Sequence, residues 1–254
     1  MPANSALPTR GSRRQPEASR STILAAALAE FAGQGLAGAR MDAIASAAGV
    51  NKALLYYYFR SKDALYAAVL EEFFQRLQMR VHRALDSDAG AGKRVLLYAR
   101  AHFDSVAESL HYARLFQGEM MSAGREGSSH LSHIVDQYIR PISLRVLEVL
   151  QEGIGAGEFR AVDPAQFAPT MVSSIVWYFV VSPVLRRLRP GDPYSAQAIA
   201  ERRAAVLDFI AAALFVDRRA GLALAAEIAA CPSAPDDPAG LPAAVRSHTR
   251  GRQA

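Results

Sequence analysis

Cysteine is nearly absent from this chain: Cys231 is the single thiol in 254 residues. An internal disulfide is therefore excluded, and the composition suits a reducing compartment. Lysine is scarce as well, with only Lys52, Lys62 and Lys93. The signatures of enzymes are missing too. There is no nucleophile–base pair, phosphate-binding glycine loop, dinucleotide glycine pattern or metal-ligand cluster, so neither catalysis nor a cofactor is expected. His130 and His133 stand three apart, but no cysteine or carboxylate of metal spacing accompanies them. Strand-type alternation and internal repeats do not occur, which leaves an all-α fold. Residues 167–185 carry no charge, with Arg186, Arg187 and Arg189 following. That run is long enough to span a membrane. Pro169, Thr170, Ser173, Ser174, Ser182 and Pro183 dilute it, however, and an apolar helix is equally what a subunit interface demands. No membrane partner is expected.

What is present begins with composition. Half of the chain is apolar (51%), enough for a full core, and the net charge of +5 suits a polyanionic partner. The first twenty residues carry Arg10, Arg13, Arg14 and Arg20 without the apolar stretch of a signal peptide. Residues 1–19 read as a disordered basic arm, and the Pro- and Ala-rich residues 231–254 as a disordered tail.

The densest information lies in residues 41–62, MDAIASAAGVNKALLYYYFRSK. Ile44 and Ala48 share one helix face; Leu55, Tyr58 and Phe59 follow the i, i+3, i+4 rule on the next. Ala45 is small where two helices would cross. Gly49 sits where the chain must turn in the left-handed region, which glycine enters without steric cost. Asn51 can cap the following helix by accepting a hydrogen bond from its free amides. Two helices joined by so short a turn form the helix-turn-helix, whose second helix enters the major groove of DNA. The outward face of that helix presents Asn51, Lys52, Ala53, Leu54, Tyr56 and Tyr57. Lys52 can reach guanine or phosphate, and tyrosine hydroxyls suit phosphate oxygens. Lys62, after the Ser61 cap, would hold a phosphate together with the free amides there. Arg40, just before the motif, completes the candidate DNA-binding set.

These residues also carry a resemblance. Residues 21–70 resemble the DNA-binding domain of TetR-family transcriptional regulators through Ile23, Ala26, Ala27 and Phe31 with Gly35, through Ile44-Ala45 and Ala48-Gly49-Val50, and above all through Leu55-Tyr56-Tyr57-Tyr58-Phe59-Arg60-Ser61-Lys62. Met41 stands where the family usually has a threonine or serine that touches phosphate. Leu54 replaces a commonly polar residue, and its side chain suits a thymine methyl. The resemblance implies a homodimer with an all-helical ligand-binding region, and repression as the usual mode.

Punctuation divides the rest. Helices are expected over 20–34, 41–48, 52–58, 62–85, 93–109, 111–121 and 129–153, the last kinked at Pro141. Asp163-Pro164 and Asp192-Pro193 each mark a further start, the second helix running to Val216. The expected domains are a helix-turn-helix domain over 20–66 and a ligand-binding and dimerisation bundle over 67–230. Apolar stripes at Met171, Ile175 and Tyr178, and at Ile199, Val206, Phe209, Ile210 and Leu214, are candidates for a four-helix interface between subunits. Phe103, Phe116, Met120, His133, Met171, Trp177 and Tyr178 are the candidate lining of a site for a small apolar or aromatic effector, with Met121, His130, Tyr138 and Phe167 beside them.

The expected protein is a cytoplasmic DNA-binding transcriptional regulator, a homodimeric repressor that leaves a palindromic operator when the effector binds. The alternative is an architectural DNA-binding dimer without a ligand. Either way the partner is double-stranded DNA.

Overall fold

The computed structural model describes residues 16–126, 129–188 and 190–231. Twelve α-helices and one π-helical turn follow one another among them, with no strand beyond an isolated bridge between Phe159 and Phe215. Of the arm and tail expected over 1–19 and 231–254, residues 1–15 and 232–254 lie outside the described residues, whereas residues 16–19 are not disordered but form the first turn of a helix.

Four helices build the N-terminal part. Helix α1 (Pro16–Gly38) starts four residues before the expected position and is broken at Gly35, whose φ of 68° no helix interior accommodates. Its inner face, Ile23, Leu24, Ala27, Leu28 and Phe31, is buried. Helix α2 (Met41–Ala47) contributes Ile44 and Ala45 to the same core, and α3 (Lys52–Tyr58) contributes Leu55. Helix α4 (Lys62–Leu85) closes it with Leu65 and Val69. At 24 residues α4 is about 36 Å long, so it continues far past this core.

Around its distal half stand α5 (Ala91–Glu108), α6 (Leu110–Glu126) and α8 (Arg140–Gly155); α9 (Pro164–Val180) packs on these three, and α11 (Ala196–Leu214) and α12 (Arg218–Ala230) on α5. The single helix expected over 129–153 is three pieces: α7 (Ser129–Ile134), a π-turn at Val135–Ile139, and α8. Pro141 explains the division. It lacks an N–H and crowds the preceding turn. The chain widens there, with the Arg140 amide donating to the Val135 carbonyl five residues back, and the proline falls in the first turn of α8. A sharp bend of 63° separates α9 from α10 (Ser182–Leu188). No single helix among the described residues is long and apolar enough to cross a membrane, although this bent pair passes by length and composition.

Candidate DNA-contacting surface and the bundle behind it

The turn between α2 and α3 has the geometry that its residues anticipate. Gly49 takes φ 64°. Its amide donates to the Ser46 carbonyl at 3.1 Å and the Val50 amide to the Ala45 carbonyl at 3.0 Å, the paired bonds that end a helix on a left-handed glycine. Asn51 then caps α3, its Oδ1 accepting from the Leu54 amide at 2.7 Å. Ser61 caps α4 in the same way, accepting from the Ala64 amide at 3.0 Å. The carboxylate of Glu30 receives the Arg40 amide at 3.1 Å, fixing the entrance to α2 against α1.

One face of α3 is left to solvent. Tyr57 is 80% exposed, and Asn51, Lys52, Ala53 and Tyr56 are exposed as well. Leu54 is half-buried. The Tyr57 ring stands edge-on to Tyr58 at 5.5 Å, and Arg20 of α1 lies over the Phe59 ring at 5.6 Å. Lys52 pairs with Asp42 of α2 at 2.8 Å. That hydrogen bond and the attraction behind it hold the Asp42 carboxyl below its ordinary range and the Lys52 ammonium above its own. Both groups are in water, so a phosphate can compete for Lys52. Arg40 is exposed beside them.

Lys62 stands differently. Its Nζ donates to the carbonyls of Ala37 and Ala39, at 3.0 and 3.1 Å. These are carbonyls that the end of α1 leaves without helical partners. The lysine therefore fastens the start of α4 to the end of α1, a role that the sequence reading of a phosphate contact did not include.

The effector candidates divide. Phe103 and Met171 are buried, Phe103 packing on Phe179 with centroids 5.2 Å apart. Phe116 is half-buried against Phe74 at 5.2 Å. Tyr138 is buried and stacks on Phe74 at 6.1 Å. The other candidates are placed differently, and the interior lining expected of Met120, Met121, His133 and Trp177 is corrected by their exposure. Trp177 is 63% exposed and Met120 and Met121 also face solvent, so within one chain they line no interior. His133 reaches outward to Glu71 of α4, and His130 to Asp63, each at 3.0 Å. Tyr178 donates its hydroxyl to the Pro193 carbonyl at 2.8 Å beneath the Arg202 guanidinium. Among the described residues no group of three or more potential metal ligands is assembled.

The interface stripes also turn inward. Met171, Ile175, Val206, Ile210 and Leu214 are core, because α9 and α11 pack onto α5 through them. The apolar side chains left outside are Trp177 on α9, Val184 and Leu188 on α10, and Phe209 on α11. A small cavity of about 170 Å³ opens between α5 and α11, lined by Asp104, Ala107, Glu108, Ile199 and Arg203. Its charges satisfy one another: Asp104 meets Arg203 at 3.0 Å and Arg100 at 3.5 Å, and Glu108 meets Arg80 at 2.6 Å.

Helix α4 joins the two parts. At its near end Tyr66 meets Phe31 of α1 edge-on at 5.0 Å. Burial and a hydrogen bond to Glu119 of α6 push the Tyr66 hydroxyl up from its ordinary pKa. Midway, Phe73 stacks on Tyr112 of α6 at 4.6 Å. At the far end the Leu85 carbonyl accepts from Arg94 and Arg145, and Asp86 pairs with Arg145 at 2.7 Å.

This geometry has close parallels in known proteins. A family model described as bacterial regulatory proteins, tetR family, matches residues 23–69, and one described as tetracyclin repressor-like, C-terminal domain, matches residues 93–210. The HTH-type transcriptional repressor SCO4008 of Streptomyces coelicolor is 32% identical over 178 residues, 70% of this chain and 86% of the relative. The chain belongs to the TetR family. As a TetR-family regulator it also resembles the HTH-type transcriptional repressor KstR2 of Mycolicibacterium smegmatis, 25% identical over 193 residues, 76% of this chain and 90% of that one. Among solved structures, the ketosteroid transcriptional regulator KstR2 of Mycobacterium tuberculosis superposes with a TM-score of 0.59 at 25% identity, covering 77% of this chain and 95% of that one. The Streptomyces coelicolor regulator SCO4942 gives 0.56 at 27% identity, covering 76% and 96%. The all-α class and the helix-turn-helix read from the sequence both stand.

Besides the role of Lys62, two features escaped the sequence reading. Glu30, ten residues before Arg40, had no local signal. In the bundle, Tyr98 and His102 form a hydrogen-bonded pair on α5, with the Tyr98 hydroxyl 3.2 Å from His102 Nδ1. Their four-residue spacing was the one available sign.

Proposed function

We propose that this regulator is a homodimeric repressor that holds an operator of two half-sites and leaves it when a small, mostly apolar effector enters the α4–α9 bundle. The observation that carries the DNA-binding part is the solvent face of α3, where Lys52, Tyr56 and Tyr57 stand beside Arg40 on a turn braced by Gly49, Asn51 and Glu30. Such a helix places amide, ammonium and hydroxyl donors along one groove of DNA. The names of SCO4008 and KstR2 favour repression as the sign of regulation.

Dimerisation is supported by the outward apolar side chains of α9, α10 and α11: Trp177, Val184, Leu188 and Phe209. A chain rarely leaves several large apolar groups in water without a partner. A two-fold dimer would set two recognition helices about 34–36 Å apart, one turn of DNA.

Release follows from the attachments of α4. The helix is fastened to α1 by Lys62, to α6 by Tyr66 and Phe73, and to α5 and α8 through Leu85 and Asp86. An effector that shifts α5, α6 or α8 must therefore displace α4, and with it the angle at which α3 is presented. The effector needs only to prefer the state that does not fit DNA; a coupling of about 1–3 kcal/mol is typical.

Analytical ultracentrifugation of the chain with a labelled duplex tests the assembly. Two chains per duplex, and a dimer without DNA, are expected. A monomer that binds singly would overturn the two-half-site scheme. The residues would then fit an architectural DNA-binding protein better.

A further inference from the structure

The ion pairs around the small cavity between α5 and α11 leave one guanidinium with donors to spare. Three guanidinium groups and two carboxylates meet there. Arg80 is committed: it donates to Glu108 at 2.6 Å and to the Ser105 hydroxyl at 3.4 Å. Arg100 is committed to the Ile228 and Cys231 carbonyls, at 2.8 and 2.7 Å. Arg203 is not. Its side chain is only 16% exposed, and its Nε lies 3.0 Å from Asp104 Oδ1, an ion pair without an aligned hydrogen bond. This guanidinium has no other partner among the described residues. Its neighbour Arg202 turns to α9 instead, over the Tyr178 ring and onto the Ser174 carbonyl. A largely buried guanidinium whose N–H donors go unanswered is costly unless something else accepts them.

The balance of charge sets the sign of the acceptor. Asp104 lies between Arg100 and Arg203, and Glu108 answers Arg80, so the arginines outnumber the carboxylates by one. The carbonyl end of α12 answers part of the Arg100 charge but offers Arg203 nothing. An added cation would raise the excess and compete with an arginine for either carboxylate. An added anion cancels it. The Nη groups of arginine form a planar fork that the two oxygens of one carboxylate accept together. Size bounds the rest of the ligand. The cavity holds about 170 Å³, and Ala107 and Ile199 are its apolar walls. An apolar cavity of about 150 Å³ takes one benzene.

We infer that the cavity between α5 and α11 binds a small monocarboxylate whose apolar body is no larger than a single ring. Its oxygens accept from the Arg203 fork while its body rests on Ala107 and Ile199. The site stands apart from the interior proposed for the effector and does not depend on that reading. It touches α4 through the Glu108–Arg80 pair.

Sodium benzoate is the probe, titrated by calorimetry into the full chain without DNA. Saturable binding is expected. Benzyl alcohol, which keeps the ring and loses the charge, should bind about tenfold more weakly, and the cationic benzylamine no better than the alcohol. Arg203→Met should weaken benzoate binding about tenfold, and Arg203→Lys, which keeps the charge but not the fork, should recover part of it. Ala107→Leu leaves every charged group in place and fills the cavity, so it too should remove binding. Thermal melting reports whether each variant is folded. A readout free of substitution is the Arg203 Nε–H resonance in ¹⁵N-arginine-labelled protein, identified by its loss in Arg203→Lys. It should move as benzoate saturates. Benzylamine binding more tightly than benzoate, a stationary Arg203 resonance at saturation, or undiminished binding by Arg203→Met and Ala107→Leu would overturn the assignment. So would a chain that takes up no benzoate, and none of these results would touch DNA binding or the effector scheme.

Discussion

Lys52 and Lys62 sit ten residues apart on the same motif but differ in their partners, and salt dependence separates them. Lys52 shares an exposed ion pair with Asp42, which a phosphate can replace. Lys52→Ala should lower the slope of log affinity against log salt by about 0.9, the mark of one lost phosphate contact. Lys62 is bonded to the Ala37 and Ala39 carbonyls. Lys62→Ala should leave that slope nearly unchanged and cost about 1–2 kcal/mol of folding stability in denaturant titration. Equal slope changes in the two variants would show that both lysines touch DNA. The sequence suggested a phosphate contact for both lysines; the fastening of α4 to α1 by Lys62 was not legible there. The partners of Lys62 lie 23 and 25 residues away, beyond any local pattern. His102 is a second case at this scale. Its ordinary pKa of 6.5 falls to about 4 in the folded chain. Above pH 6.5 the ring is neutral in both states and contributes nothing to pH dependence. Between pH 6.5 and 4 the unfolded chain takes up a proton that the folded one refuses, so stability falls as the pH drops, by on the order of 3 kcal/mol. His102→Gln should show a correspondingly flatter decline between pH 7 and 4 in denaturant titrations. An unchanged decline would mean that the ring is not desolvated.

The turn from α2 to α3 is where element-level reasoning is strongest. The bonds that shape it, from Gly49 to Ser46, Val50 to Ala45 and Leu54 to Asn51, span three to five residues, which is why Ile44, Gly49, Asn51 and Leu55 were readable at once. Gly49 at φ 64° is the position that a side chain would strain most directly. Gly49→Ala should cost about 1–2 kcal/mol of stability and reduce DNA affinity in step, since the same turn sets the angle of α3. Full affinity at normal stability would mean that the turn tolerates the change by re-folding locally. The C-terminal helices were harder to interpret for a physical reason. Residues 167–185 carry no charge, and α11 is apolar on several sides, so periodicity could not say which face looks inward. The stripe through Met171 and Ile175 proved to be core, while Trp177 and Phe209 remained outside. The division of 129–153 into α7, a π-turn and α8 hinged on Pro141, which the sequence marked as a kink without showing that the ring would fall inside the first turn of α8.

At the scale of the molecule, α4 ties the DNA-facing helices to the bundle at three levels, and the outward apolar groups of α9–α11 are the surface on which two chains would meet. Phe209→Asp combined with Trp177→Asp should convert the dimer to monomer in sedimentation, because each places a charge in an apolar contact. It should also weaken binding to a two-half-site duplex far more than to a single half-site. A dimer that survives both changes would place the interface elsewhere. On the function proposed above, the α3 face reads two half-sites in specific DNA. Selection of bound duplexes from a random pool, at two salt concentrations, tests it most directly. A palindromic sequence, enriched at both salts and with half-site centres one helical turn or a multiple of it apart, is predicted. Binding that weakens steeply with salt and enriches no sequence would contradict it, leaving a chain that holds the phosphate backbone without reading the bases.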